Sequence, residues 1–239
     1  MLKELIDKFY LDKNRDKNQT HFYITDAGKC PRSIFFKFKN APREEAEARI
    51  LRLYEHGDYI QMQMMNVLIS LGLVRASEVN IPPQEIISGR ADAILTLNNE
   101  LYVVDFKSMN SMLFRELSEP KIEHINQIQL YLHYFKIPKG ILLYVDKDTL
   151  ALKEFFVDYN KELCDSLISD LEKLKEKIDK NIIPERLKDY PDNWQCRYCQ
   201  FKEICKLAGK DTLDWEKFKE IVIKKNEVLD PSNVFTKEA

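Results

Sequence analysis

The residues best suited to chemistry in this chain are two acids and a lysine between positions 89 and 107. The stretch "YVVDFKSM", residues 102–109, sets Asp105 and Lys107 two apart in an apolar run. On a strand both project to one side while Val104 and Phe106 face the other. A surface ion pair would account for these two alone and would be worth little. The preceding segment, "SGRADAIL", adds Asp92, with Gly89 just before it leaving room for close backbone approach. Two carboxylates meeting across neighbouring strands repel unless positive charge lies between them. A hard divalent cation, Mg²⁺ or Mn²⁺, is the economical occupant, because it takes carboxylate oxygens and keeps waters that can become nucleophiles. Lys107 would then hold or deprotonate such a water, or offset charge on phosphorus.

Two further groups stand out. In "HINQIQLYLHY", Gln127 and Tyr131 are four apart and share one face of an expected helix. In "CRYCQFKEIC", Cys196, Cys199 and Cys205 form a C-x2-C-x5-C run whose first pair can chelate one metal centre from a tight turn. Cys30, in "GKCPRS", lies in a loop-like polar context, whereas Cys164 sits inside a helical pattern and reads as a small buried hydrophobe. Four thiolates suit a structural zinc or an iron–sulfur cluster, and spacing alone does not choose.

Positioning these groups takes a sheet and several helices. Periodicity predicts a helix near 2–12, a loop that enters a helix at Pro31 with Thr25 or Asp26 as a cap, and a long helix over about 42–71. The period then changes: "SEVNIPP", "EIISGRADAILTL", "ELYVVDFKS", "GILLYV" and "LKEFFVDY" read as strands, with Asn98-Asn99 as a hairpin turn. A helix behind Pro120 lies between the third and fourth, so a strand–helix–strand crossover is expected. Helices over 160–181 and near 212–227 follow, the last before a polar tail. The organisation expected is one domain over 1–209, with a sheet core at about 74–158 and a cysteine lobe built from 23–40 and 184–209; residues 210–239 add a helix and tail.

At 239 residues, with 44% hydrophobic, 32% charged and only 6 Gly, the chain is expected to be globular and helix-rich. A formal charge of −2 gives no global positive field, so nucleic acid must be met by local patches. Lys29, Arg32, Lys37 and Lys39 around the first cysteine, and Arg197, Lys202 and Lys206 around the others, are the candidates. Tyr23, Phe35 and Phe36 are candidates for stacking bases, with core packing the commoner fate of such aromatics. No apolar run approaches the ~20 residues of a membrane span and the start is amphipathic, so a soluble, cytoplasmic protein is expected, its five cysteines free or metal-bound rather than paired.

Taken in order, "GRAD", "DFK" and Q-x-x-x-Y, framed by one cysteine before and three after, resemble the PD-(D/E)xK nuclease superfamily. The likeness is to its RecB-like iron–sulfur branch and above all to the CRISPR-associated protein four family. The resemblance implies a restriction-endonuclease-like mixed sheet flanked by helices, an α/β fold whose terminal segments meet at a cysteine-ligated cluster. It implies a metal-dependent DNA exonuclease acting on single strands, 5′ to 3′, by one-metal or two-metal phosphodiester hydrolysis. Asp92, Asp105, Lys107, Gln127 and Tyr131 would be catalytic, and Cys30, Cys196, Cys199 and Cys205 would hold a [4Fe–4S] cluster. Partners implied are single-stranded DNA and CRISPR integrase or other recombination proteins. The branch usually carries a metal-binding histidine in a G-x-x-x-H context, and "HGDYIQ" puts Gln61 there, a neutral and weaker ligand for Mn²⁺ or Mg²⁺. Its nearest histidine, His56, is off that face and reads as a surface residue; His124 lies on the Gln127 side. The alternative is a catalytically silent iron–sulfur DNA-binding or assembly module, against which the retention of two mutually repelling acids argues.

Overall fold

A computed structural model describes residues 1–14 and 18–227, so the expected polar tail lies outside the described residues. In chain order the principal elements are α1 (Leu2–Lys13), β1 (Phe22–Tyr23), α2 (Pro31–Phe38), α3 (Ala48–Ser70), β2 (Val74–Asn80), β3 (Ile87–Ser88), β4 (Arg90–Leu97) and β5 (Glu100–Met109). There follow α4 (Ser111–Glu116), α5 (Ile122–Phe135), β6 (Lys139–Asp146), β7 (Leu152–Asp158), α6 (Lys161–Asp179), β8 (Ile182–Ile183), α7 (Trp194–Arg197), α8 (Lys202–Leu207), β9 (Leu213–Asp214) and α9 (Trp215–Glu227). The chain divides into two compact units. The first draws chiefly on His21–Gly28 and Ala46–Ser169, the second on Lys29–Glu45 and the chain from Asp170.

The first unit is built on a five-stranded mixed sheet of order β2-β4-β5-β6-β7. β4 and β5 form the expected hairpin: Asn98 and Asn99 have φ of +48° and +66°, the pair of positive values a type I′ turn requires. β5 and β6 run parallel, so the chain must cross over, and α4 and α5 make that crossing. Side chains alternate between two faces. Ala93, Leu95, Val104, Phe106 and Ile141 pack with Met65 of α3 on one. Gly57 of α3 faces β5 there, where a Cβ would sit 3.4 Å from Ser108 Oγ, at the edge of ordinary contact. On the other face Gly140 lets α5 descend, since a Cβ there would lie 2.7 Å from Ile128 Cδ1. Gly89 serves similarly, a Cβ meeting Ile24 at 2.7 Å. α3 starts at Ala48 rather than near 42, leaving Pro42 and the acids after it outside the helix.

The second unit has an aromatic core. Phe35 and Phe36, both fully buried, pack edge-on and tilted against Trp215, and Phe36 against Phe201. Both are therefore core residues and cannot stack on bases. Arg32, also buried, is not a phosphate contact: its guanidinium donates to the carbonyls of Pro184 (2.7 Å), Gly209 (2.6 Å), Lys210 (3.1 Å) and Asp211 (2.9 Å). These oxygens belong to the turns flanking β8 and following α8, so one side chain from α2 ties several loops together. Arg32→Met leaves them without donors, and a loss of about 3 kcal/mol is expected. A chemical denaturation midpoint unchanged from the parent would contradict this role.

Candidate active site and cysteine cavity

β4 and β5 bring the two acids face to face. Their ladder pairs Leu97 with Glu100 and runs to Ala93 with Val104, so the next step sets Asp92 across from Asp105. There the Asp92 carboxylate replaces the backbone as partner, accepting the Phe106 N–H at 2.7 Å. Asp105 is 2% exposed. Its Oδ2 is in ion-pair contact with Lys107 and takes no other partner among the described residues, while its Oδ1 accepts from Gln127 Nε2 at 3.1 Å. Gln127 Oε1 in turn accepts from Lys107 Nζ at 3.0 Å. Tyr131, one turn along α5, lies 3.5 Å from Gln127 Nε2 and donates to the Arg90 carbonyl at 2.7 Å. Of the five residues singled out in the sequence, Asp105, Lys107, Gln127 and Tyr131 thus form one connected cluster, which Asp92 faces across the ladder.

Electrostatics follows from burial. Desolvation, with repulsion from Asp105, pushes the Asp92 carboxyl up to about 7, against the pull of the Phe106 N–H. Asp105 is raised by the same desolvation, which Lys107 opposes. Burial also raises the Tyr131 hydroxyl, so it stays a neutral donor.

Gln61, on α3, donates from Nε2 to Glu78 Oε1 at 2.8 Å, and Arg90 Nη2 lies 2.7 Å from Glu78 Oε2. Sequence reasoning missed Glu78 and gave Arg90 no role, although both lie in quoted segments; the register of β2 on β4 links them. Glu78 has φ of +53°, a strained state that costs a non-glycine residue of order 1–3 kcal/mol. His124 Nδ1 lies 2.7 Å from the Tyr144 hydroxyl, on the α5 side of the sheet, and His56 is exposed. Cys164 is fully buried, its thiol 3.3 Å from the Gln129 carbonyl.

In the second unit Cys30, Cys196, Cys199 and Cys205 line a single cavity with Arg32, Phe36, Arg186 and Gln195. Burial pushes the Cys30 thiol up to about 11 and raises Cys196, in each case with repulsion from two other cysteines of the set adding to it. As they stand, no three His, Cys, Asp or Glu side chains among the described residues form a group able to hold a metal ion. Of the basic patch, Lys39 is hydrogen-bonded to Asn181, and Arg197 and Lys206 are exposed.

Comparison with known proteins agrees with this geometry. Residues 11–206 match the PD-(D/E)XK nuclease superfamily. The chain is 28% identical over 218 residues to the CRISPR-associated exonuclease Cas4 of Saccharolobus solfataricus, covering 84% of this chain and 98% of that protein. The crystal structure of SSO0001 superposes with a TM-score of 0.57 at 25% identity, over 86% of this chain and 96% of that one. The structure of LHK-Exo in complex with dAMP does so at 0.51 and 13% identity, over 74% and 92%, which shows a shared fold. No helix among the described residues is long and apolar enough to cross a membrane.

The acid pair has a thermodynamic signature. Folded, it retains a proton that the unfolded chain releases near 3.8, so without metal the stability present at low pH is lost as pH rises towards about 7. Asp92→Asn is expected to flatten that fall and to raise the melting temperature at pH 8 in EDTA; a parent whose melting is independent of pH over this window would refute the buried pair.

Proposed function

The chain belongs to the PD-(D/E)XK nuclease superfamily and is a deoxyribonuclease, and from that premise we propose that it degrades single-stranded DNA from the 5′ end in the cytoplasm. Members of the superfamily need a divalent metal ion. Asp92 and Asp105 are assigned as the carboxylates that would hold Mn²⁺ or Mg²⁺, one ion or two. The observation that carries this is their facing placement in a buried site, with Lys107 as the one partner of Asp105 Oδ2 among the described residues. When bound, the cation supplies Lewis-acid polarisation of the phosphoryl group and a more acidic water.

The remaining roles follow from the contacts. Lys107, held by Gln127, directs its ammonium to the charge that develops on phosphoryl oxygens. Gln127 bridges Lys107 and Asp105, fixing both rotamers, and Tyr131 anchors that face of α5 to the β4 backbone. CRISPR integrase or other recombination proteins are proposed as partners, the support being likeness to a relative that is CRISPR-associated. One observation favours the second reading, a silent DNA-binding module: Gln61, where the branch carries histidine, spends its amide on Glu78.

Cys30, Cys196, Cys199 and Cys205 are proposed to hold a [4Fe–4S] cluster. Their shared cavity supports this, as do two donors beside the sulfurs: Arg32 Nη1 lies 3.8 Å from Cys205 Sγ and the Phe201 N–H is 3.4 Å from Cys199 Sγ.

Two experiments test these assignments. On end-labelled single-stranded DNA with Mn²⁺, the parent should degrade from the 5′ end, and Asp105→Ala should lose cleavage at least 10²-fold while still binding the strand. Binding without cleavage by both would favour the silent module. Anaerobically purified parent should be brown, and Cys199→Ala should be bleached and less stable; a colourless parent with stoichiometric zinc would replace the iron–sulfur assignment.

A further inference from the structure

Glu78 stands in the same transverse row as the two acids. β2 pairs Ser77 with Ala93 and Val79 with Ala91, which places Glu78 across from Asp92, itself across from Asp105. Three carboxylates therefore occupy neighbouring positions on three adjacent strands. The alternation of exposed and half-buried side chains along β2 slips at Glu78, where φ is +53°. Glu78 itself stays exposed at this bend, β2 being an edge strand, so burial does not account for the strained backbone.

The partners of Glu78 show what the distortion achieves. Gln61 from α3 and Arg90 from β4 take one carboxylate oxygen each, at 2.8 and 2.7 Å. That leaves lone pairs on both oxygens, and the negative charge of the group, offset in part by Arg90, is still felt as a small upward push on the Asp92 carboxyl. A second observation concerns charge at this row: the fully buried Asp105 Oδ2 has no partner among the described residues beyond its ion pair with Lys107, a single ammonium set against two facing acids. Gln61 is neutral and its amide N–H points at Glu78, a poor arrangement for a cation ligand.

We propose that Glu78 contributes, through its charge, the third anionic group that draws the divalent cation to Asp92 and Asp105, and that Gln61 is a positioning residue that holds Glu78 in the row. The inference rests on the nuclease reading, from which its failure can be told apart. A carboxylate acting through charge need not touch the ion. It would also account for a nuclease that manages without imidazole at position 61.

Mn²⁺ binding to the full chain without DNA, followed by titration calorimetry and by the Mn²⁺ electron spin resonance signal, reads the effect directly. Glu78→Gln keeps an oxygen for the Gln61 amide and removes the charge, and with it the ion pair to Arg90, and is expected to weaken Mn²⁺ about 10–100-fold. Glu78→Asp should stay within a few-fold of the parent, and Gln61→His should restore affinity to Glu78→Gln. Should Glu78→Gln fail to fold, Glu78→Gly, which relaxes the positive φ, carries the same expected loss. Parent-like affinity in the folded Glu78 variants, with Asp105→Ala impaired, would overturn the role of Glu78 alone. Parent-like affinity in Asp105→Ala as well would overturn the metal site itself.

Discussion

Two carboxylates set opposite one another in a protein interior repel, and the first unit is arranged around offsetting that repulsion. Hydrogen bonding alone cannot do it: Asp92 takes one backbone N–H and Asp105 one amide, which satisfies part of their capacity. The rest must come from positive charge, and Lys107 supplies what this chain can provide from its own strand. A lysine amine is a flexible point charge, so it has to be steered, and Gln127 steers it. That requires α5 to lie hard against the sheet at one height. Gly140 permits the approach, and the bond from Tyr131 to the Arg90 carbonyl sets the height.

In the second unit the sign is reversed. Arg32 is a buried cation compensated by neutral carbonyls at the ends of turns. Guanidinium is suited to this because its donors radiate in one plane and can reach several loops at once. The arrangement gives the turns before Cys196 and after Cys205 a common reference point without a wide sheet, the elements there being two to six residues long apart from α2, the end of α6 and α9.

Much of this was legible from spacing. Asp105 and Lys107 two apart on a strand, and Gln127 and Tyr131 four apart on a helix, share faces for reasons of backbone period, and the Asn98-Asn99 turn has the residues its positive φ values favour. Glu78 was not legible, because its importance comes from register and from a distorted φ that no local pattern announces. Arg32 misled for a related reason: a basic residue beside cysteines reads as a surface patch, whereas its partners are backbone carbonyls, which every residue carries and which composition therefore cannot reveal. Pro42 and the acids behind it delayed the start of α3, since the apolar period begins only at Ala48.

The order in which the chain is made has a bearing on the second unit. Lys29–Glu45, with Arg32 and Cys30, is synthesised early, yet its partners in that unit begin at Asp170. At about 5–20 residues per second, the ribosome finishes the whole five-stranded sheet while Arg32 still lacks its carbonyls and Phe35 and Phe36 still lack Trp215. For those seconds the apolar segment of α2 and the Cys30 thiol are without their partners on the nascent chain, so this segment is where a chaperone would meet the protein before it is complete.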